Sequence, residues 1–297
     1  METTEQETVD VSPAAALGPA QRSSARRQIG VFLSVVTALT AVTTSIGMSM
    51  DVDVSRIEES PPLAQAVMFG QAFIPLIAAA AARSSAPHDT ARGWGVRRTT
   101  WRRVFVGAVF GAGFVALAAV VAWMSGAAGI DGDAVGPALL LALPLTLLYV
   151  VLALGEDIGW RGLLVARLSE ITGPRTVVLI SGLAWGLFHW PLMIWLGGTP
   201  DDTATIFTRA SYTVGTVAFG AVLASMQLRW GLWPGVVAHA AANAVLYHAV
   251  TPLTEERAWS GYLAGETGFI ATAVLIVLAV LWCRRLPLPT GGPTRRT

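Results

Sequence analysis

Residues 145–168 read LTLLYVVLALGEDIGWRGLLVARL. The stretch has bilayer-spanning length, about 20 residues or slightly more, yet Glu156, Asp157 and Arg161 stand near its middle with apolar sequence on both sides. A helix ending at Leu154 would leave these charges at an ordinary helix terminus. Pro144 argues instead for a helix start or kink just before the stretch, because proline lacks a backbone donor and clashes with the preceding turn. The helix then runs from Leu145 to Leu168 and buries Glu156 near its centre. An ionised group at that depth costs about 2.5–3.5 kcal/mol even on lenient insertion scales, so it carries a functional reading by default. Asp157 and Arg161 are one turn apart and can neutralise each other. Glu156 has no such partner in its own helix.

The surrounding sequence supplies the membrane. Of 297 residues, 54% are hydrophobic and only 13% charged, with mean hydropathy +0.58; soluble chains carry about a quarter charged residues. Apolar stretches recur at 29–50, 62–82, 104–126, 139–168, 177–196, 206–228, 232–250 and 262–282. All 20 basic residues are arginine, and they cluster at 22–27, 83–103, 167–175, 229 and 284–296. The alternate loops carry acids instead: Asp51, Asp53, Glu58 and Glu59, then Asp131 and Asp133, Asp201 and Asp202, Glu255 and Glu256. By the positive-inside rule the arginine side is cytoplasmic, with Arg56, Arg209 and Arg257 as a tolerated minority.

The expected architecture is an all-α, polytopic membrane helix bundle of about eight transmembrane helices with both termini cytoplasmic. Its parts are a disordered cytoplasmic tail at 1–28, a transmembrane domain at 29–285 and a cytoplasmic tail at 286–297. The pairs Gly107/Gly111 and Gly182/Gly186 suit close packing between helices of the same chain. Cys283 is alone, which excludes an intrachain disulfide and a thiolate metal cluster. The arginines serve membrane orientation, so nucleic acid is not an expected partner; the lipid bilayer is.

Two further spans carry polar groups. Trp185 and His189 are one turn apart in the fifth, as are His239 and Asn243 in the seventh. His88 and His248 lack such company and read as structural or solvent-exposed. Three helices can thus offer a glutamate, two histidines and a carboxamide inside the membrane. A carboxylate withdrawn from water can act as a general base, while histidine and asparagine can hydrogen-bond the oxyanion of a tetrahedral intermediate. The same donors could hold zinc, which takes about three protein ligands plus a water at catalytic sites. The sequence has no G-x-S-x-G, G-x-G-D or H-E-x-x-H, which removes the serine, aspartyl and zincin alternatives.

The run Glu156-Asp157-x-x-x-Arg161, then Trp185-x-x-x-His189, then His239-x-x-x-Asn243, resembles the three ordered motifs of the CPBP family of intramembrane endopeptidases, also called the Abi or type II CAAX prenyl protease family. The resemblance covers a core at about 145–247. It implies an intramembrane endopeptidase acting on a membrane-associated peptide or protein. Glu156 would be the general base, and His189 would hold the attacking water or a metal. His239 and Asn243 would stabilise the oxyanion, and Arg161 would order the first motif or a substrate carboxylate. Two positions depart from the family. Asp157 stands where a second glutamate is usual, and Trp185 where phenylalanine is usual, enlarging one wall of the cavity without touching the chemistry.

Eukaryotic members process CAAX tails. The arginine-only, alanine-rich composition suggests a GC-rich bacterial genome and hence a bacterial plasma membrane, where a literal CAAX substrate is less expected. The cavity is expected to open toward the cytoplasm. The rival class is non-catalytic: a bacteriocin self-immunity protein or scaffold, or a transporter using Glu156 and His189 as a proton relay. Paired discontinuous spans, a common mark of transporters, are missing from the sequence.

Overall fold

The computed structural model describes residues 18–86, 94–133, 135–197 and 202–289; His88, Arg92, Asp201, Arg295 and Arg296 lie outside them, as do residues 1–17. Helix α1 spans Pro19–Ser49. It begins earlier than the expected tail boundary because Pro19 fits the first turn and the Gly18 N–H donates to Gln21 Oε1 at 3.2 Å. Residues 19–28 are therefore helical, and Gln28 is buried, its Oε1 accepting from Arg167 Nε at 2.7 Å.

The second apolar stretch forms α2 (Pro62–Gly70), a tight 3-10 turn at Gln71–Phe73 and α3 (Ile74–Ser84). The break follows from Pro75, which has no N–H and crowds the carbonyl of Gln71 one turn back. After α4 (Trp101–Met124) come a two-residue strand, β1 (Gly129–Ile130), and then α5 (Val135–Gly159). A π-helical turn at Trp160–Val165 joins α5 to α6 (Ala166–Ile171). The helix passes through Pro144 rather than starting there, since a long membrane helix tolerates the loss of one backbone bond.

The remaining helices are α7 (Pro174–Trp195), α8 (Asp202–Trp230), α9 (Leu232–Val245), α10 (Thr251–Leu253), α11 (Ser260–Leu263) and α12 (Phe269–Arg285). A second π-helical turn, Leu246–Val250, links α9 to α10, and β2 (Thr254–Glu255) pairs antiparallel with β1. The last helix starts seven residues later than its apolar stretch because the short α11 and a turn take up residues 260–268.

Among the described residues, six helical stretches have the length and apolar composition to cross a membrane: Pro19–Ser49, Pro62–Ser84, Trp101–Met124, Pro174–Trp195, Ile206–Trp230 and Leu232–Leu253. The protein is an all-helical, multi-pass membrane bundle. Both glycine pairs pack within the chain. A Cβ at Gly107 or Gly111 would collide with the carbonyl oxygens of Pro234 and Ala238, so α4 lies directly against the backbone of α9. Likewise, a Cβ at Gly182 would sit 2.7 Å from the Cα of Val217, which brings α7 against α8. These contacts seat α9 and α7, two of the three motif-bearing helices, against their neighbours.

Candidate active site

The unbroken helix settles where the charges of the first motif lie. Glu156, Asp157 and Arg161 are 9%, 0% and 3% exposed, inside the bundle rather than at a helix end. Asp157 Oδ1 accepts from Arg161 Nη1 at 2.7 Å, the pair expected from their spacing. The other oxygen of Asp157 faces His239 Nδ1 at 3.5 Å. Asp157 thus stands between two motifs, a role invisible within its own helix.

Glu156 does find a partner, on another helix. The indole Nε1–H of Trp185 donates to Glu156 Oε2 at 2.9 Å. The same indole lies under the Arg161 guanidinium, 3.7 Å from its carbon to the ring centroid. Trp185 therefore does more than enlarge a wall: it grips the site carboxylate and covers the buried cation. Phenylalanine could supply neither the hydrogen bond nor the wider π face of an indole.

His189 Nδ1 lies 2.9 Å from the Trp185 carbonyl oxygen, one turn back in α7. A carbonyl only accepts, so this bond needs the proton on Nδ1 and leaves Nε2 of the neutral ring as an acceptor. The His239 ring meets Trp185 edge-on at 5.2 Å between centroids and Phe219 at 6.3 Å, so its plane is held by packing. Asn243 follows one turn along α9 and is half-buried. The fold thus draws the three motifs together around Trp185.

Sequence reasoning missed several neighbours. Tyr212 of α8 is buried, and its ring meets His189 edge-on at 5.3 Å. Tyr247 donates to Glu266 Oε2 at 2.8 Å, and its ring stacks on Tyr149 at 6.1 Å. His248, expected to stand without company, is 3.1 Å from the Tyr149 hydroxyl. The one available signal was scarcity: the chain has four tyrosines, and three of them gather here. Glu266 sits in a short polar connection and carried no signal at all.

Among the described residues, no three His, Cys, Asp or Glu side chains converge as metal ligands. One oxygen of Glu156 is already bound by Trp185, and His239 Nδ1 faces Asp157. The side chains as placed do not form a zinc cage. A cavity of about 630 Å³ lined by Arg97, Arg98, Trp101 and Trp233 holds none of the motif residues.

These features describe a multi-pass membrane protein in which candidate site residues Glu156, His189, His239 and Asn243 come from three helices. Residues 137–245 match the family model of type II CAAX prenyl endopeptidase Rce1-like proteins, a segment containing all seven motif residues named above. That segment, about a third of the chain, is similar to the Rce1-like family, the family its motifs resemble. No curated protein matches the chain.

Proposed function

We propose that the protein is an intramembrane endopeptidase in which Glu156 activates water for attack on a peptide bond of a membrane-associated peptide or protein. The observation that carries this reading is the Trp185–Glu156 hydrogen bond of 2.9 Å, which joins the first two motifs at one carboxylate. That bond engages one oxygen and leaves the other to take a proton.

In this reading Glu156 removes a proton from water as the water oxygen bonds to the carbonyl carbon. His189 Nε2 accepts the second O–H of that water and holds it in place. Asn243 donates its amide N–H to the developing oxyanion, and His239, as an imidazolium with Nδ1–H turned to the Asp157 carboxylate, donates Nε2–H to the same oxygen. When the tetrahedral intermediate collapses, the C–N bond breaks and the proton held by Glu156 passes to the leaving amine. Asp157 and Arg161 act one layer back, Asp157 fixing the His239 ring and Arg161 offsetting its charge. The aspartate serves in place of the usual glutamate because its shorter side chain still spans Arg161 and His239.

The proposed topology has eight spans and both termini in the cytoplasm, of a bacterial plasma membrane. It adds the run from α5 through α6 and the 17-residue α12 to the six stretches named above. The arginine clusters at one end of the bundle support it.

The test is hydrolysis of a mixed peptide library by detergent-purified protein, with Glu156→Gln as the isosteric control. Cleavage should fall about 100-fold or more, the usual size of a general-base contribution, with an unchanged gel-filtration profile. Equal cleavage by both proteins would remove Glu156 from the reaction, and cleavage by neither would favour a non-catalytic role.

A further inference from the structure

The helix ends sort into two sets through contacts that owe nothing to net charge. At one end Gln28 meets Arg167, the Leu232 N–H donates to Gly95 O at 3.2 Å, and Arg97 Nη2 donates to Gln227 O at 2.9 Å. At the other the Val54 N–H donates to Leu196 O at 2.8 Å, β1 pairs with β2, and Trp123 Nε1 donates to Thr254 Oγ1 at 3.3 Å. The first end carries thirteen of the seventeen described arginines, and the second carries three: Arg56, Arg209 and Arg257. Asp51, Asp53, Glu58, Glu59, Glu255 and Glu256 all belong to the second end. So strong a bias marks the arginine end as cytoplasmic.

The site does not face that end. Along their own helices Glu156 lies fifteen residues before Ile171 and His189 fifteen after Pro174, about 22 Å at helical rise, while His239 lies seven after Leu232, about 10 Å. His189 is only six residues, about 9 Å, from Trp195 at the acidic end. Between the site and the arginine end the bundle is closed: Phe32, Trp160, Leu163, Leu164, Leu223 and Met226 are each at most 1% exposed. Phe32 and Trp160 meet edge-on at 5.2 Å within this floor.

On the acidic side the lining turns polar and opens. Asn243 is half-buried, Tyr247 is 41% exposed, and its partner Glu266 is exposed. Through its hydrogen bond with Tyr247, four residues beyond Asn243, Glu266 stands beside the third motif.

We propose that the site is entered from the acidic, non-cytoplasmic face, so that its substrate is an extracytoplasmic segment close to a membrane anchor and cytoplasmic tails are excluded. This reverses the cytoplasmic opening expected from sequence. It rests on the peptidase reading for the word substrate, but the direction of entry stands on the packing and charge alone.

The test is labelling with a charged, membrane-impermeant maleimide in right-side-out and inverted membrane vesicles. Single cysteines are placed at Tyr247→Cys, Asn243→Cys and Arg98→Cys in a Cys283→Ser background, each checked for a monodisperse elution profile. Glu266→Cys in the exposed connection replaces any variant that fails that check. Tyr247→Cys and Asn243→Cys should label at least tenfold faster in right-side-out vesicles, and Arg98→Cys faster in inverted ones. The opposite pattern at Tyr247→Cys and Asn243→Cys overturns the proposal, as does labelling in neither vesicle type when both react in detergent. Labelling needs no catalysis, so a failed peptidase assay and a failed direction of entry are read separately.

Discussion

Trp185 and Glu156, 29 positions apart and on different helices, are joined by an indole N–H to carboxylate hydrogen bond of 2.9 Å. The bond fixes one oxygen of the proposed base, and the Trp185 backbone carbonyl fixes the proton on His189 Nδ1. One residue thus positions two groups.

Replacing Trp185 by phenylalanine restores the residue usual in the family and removes only the N–H and part of the ring. Hydrogen bonds to charged groups contribute about 1.5–3 kcal/mol, so kcat should fall about 10- to 100-fold with KM little changed. Steady-state kinetics on a cleaved library peptide checks this. A change confined to KM would make Trp185 a substrate wall instead.

Among the described residues, Asp157 is the carboxylate hydrogen-bonded to buried Arg161. Asp157→Ala leaves that guanidinium uncompensated, and breaking a buried pair in this way costs about 3–5 kcal/mol. Thermal unfolding in detergent should show a clear loss of stability. Adding Arg161→Met should recover much of it without recovering activity, because His239 would still lack its carboxylate.

Gly111 holds α4 against the Ala238 backbone, one residue before His239. Gly111→Val cannot fit without moving α9. The expected result is lower thermal stability together with reduced turnover, whereas Gly113→Ala, where a Cβ meets open space, should change neither.

Elemental mass spectrometry of active, detergent-purified protein should find zinc well below one equivalent, and a chelator should leave cleavage intact. Near-stoichiometric zinc that disappears in both His189→Ala and His239→Ala would show that these side chains rearrange around a metal.

Much was legible before any fold was known. The arginine bias, the apolar stretches and the one-turn pairs Asp157/Arg161, Trp185/His189 and His239/Asn243 are local properties, set by charge, bilayer thickness and helical period. The intrachain role of the glycine pairs was legible for the same reason, since small residues at that spacing admit a neighbouring backbone. The helical start at Pro19 was not, because its anchor, Gln28 on Arg167, is 139 positions away in the chain.

The site shows the same division. Sequence alone placed a glutamate, two histidines and an asparagine in apolar stretches at helical spacing, where burying such groups is costly. Only the tertiary structure decided that Trp185 holds Glu156, that Asp157 divides itself between Arg161 and His239, and that Tyr212, Tyr247 and Glu266 attend them. It also decided which end of the bundle is plugged. These are contacts between helices, and a one-dimensional pattern carries no information on which faces meet until packing fixes their rotation and depth.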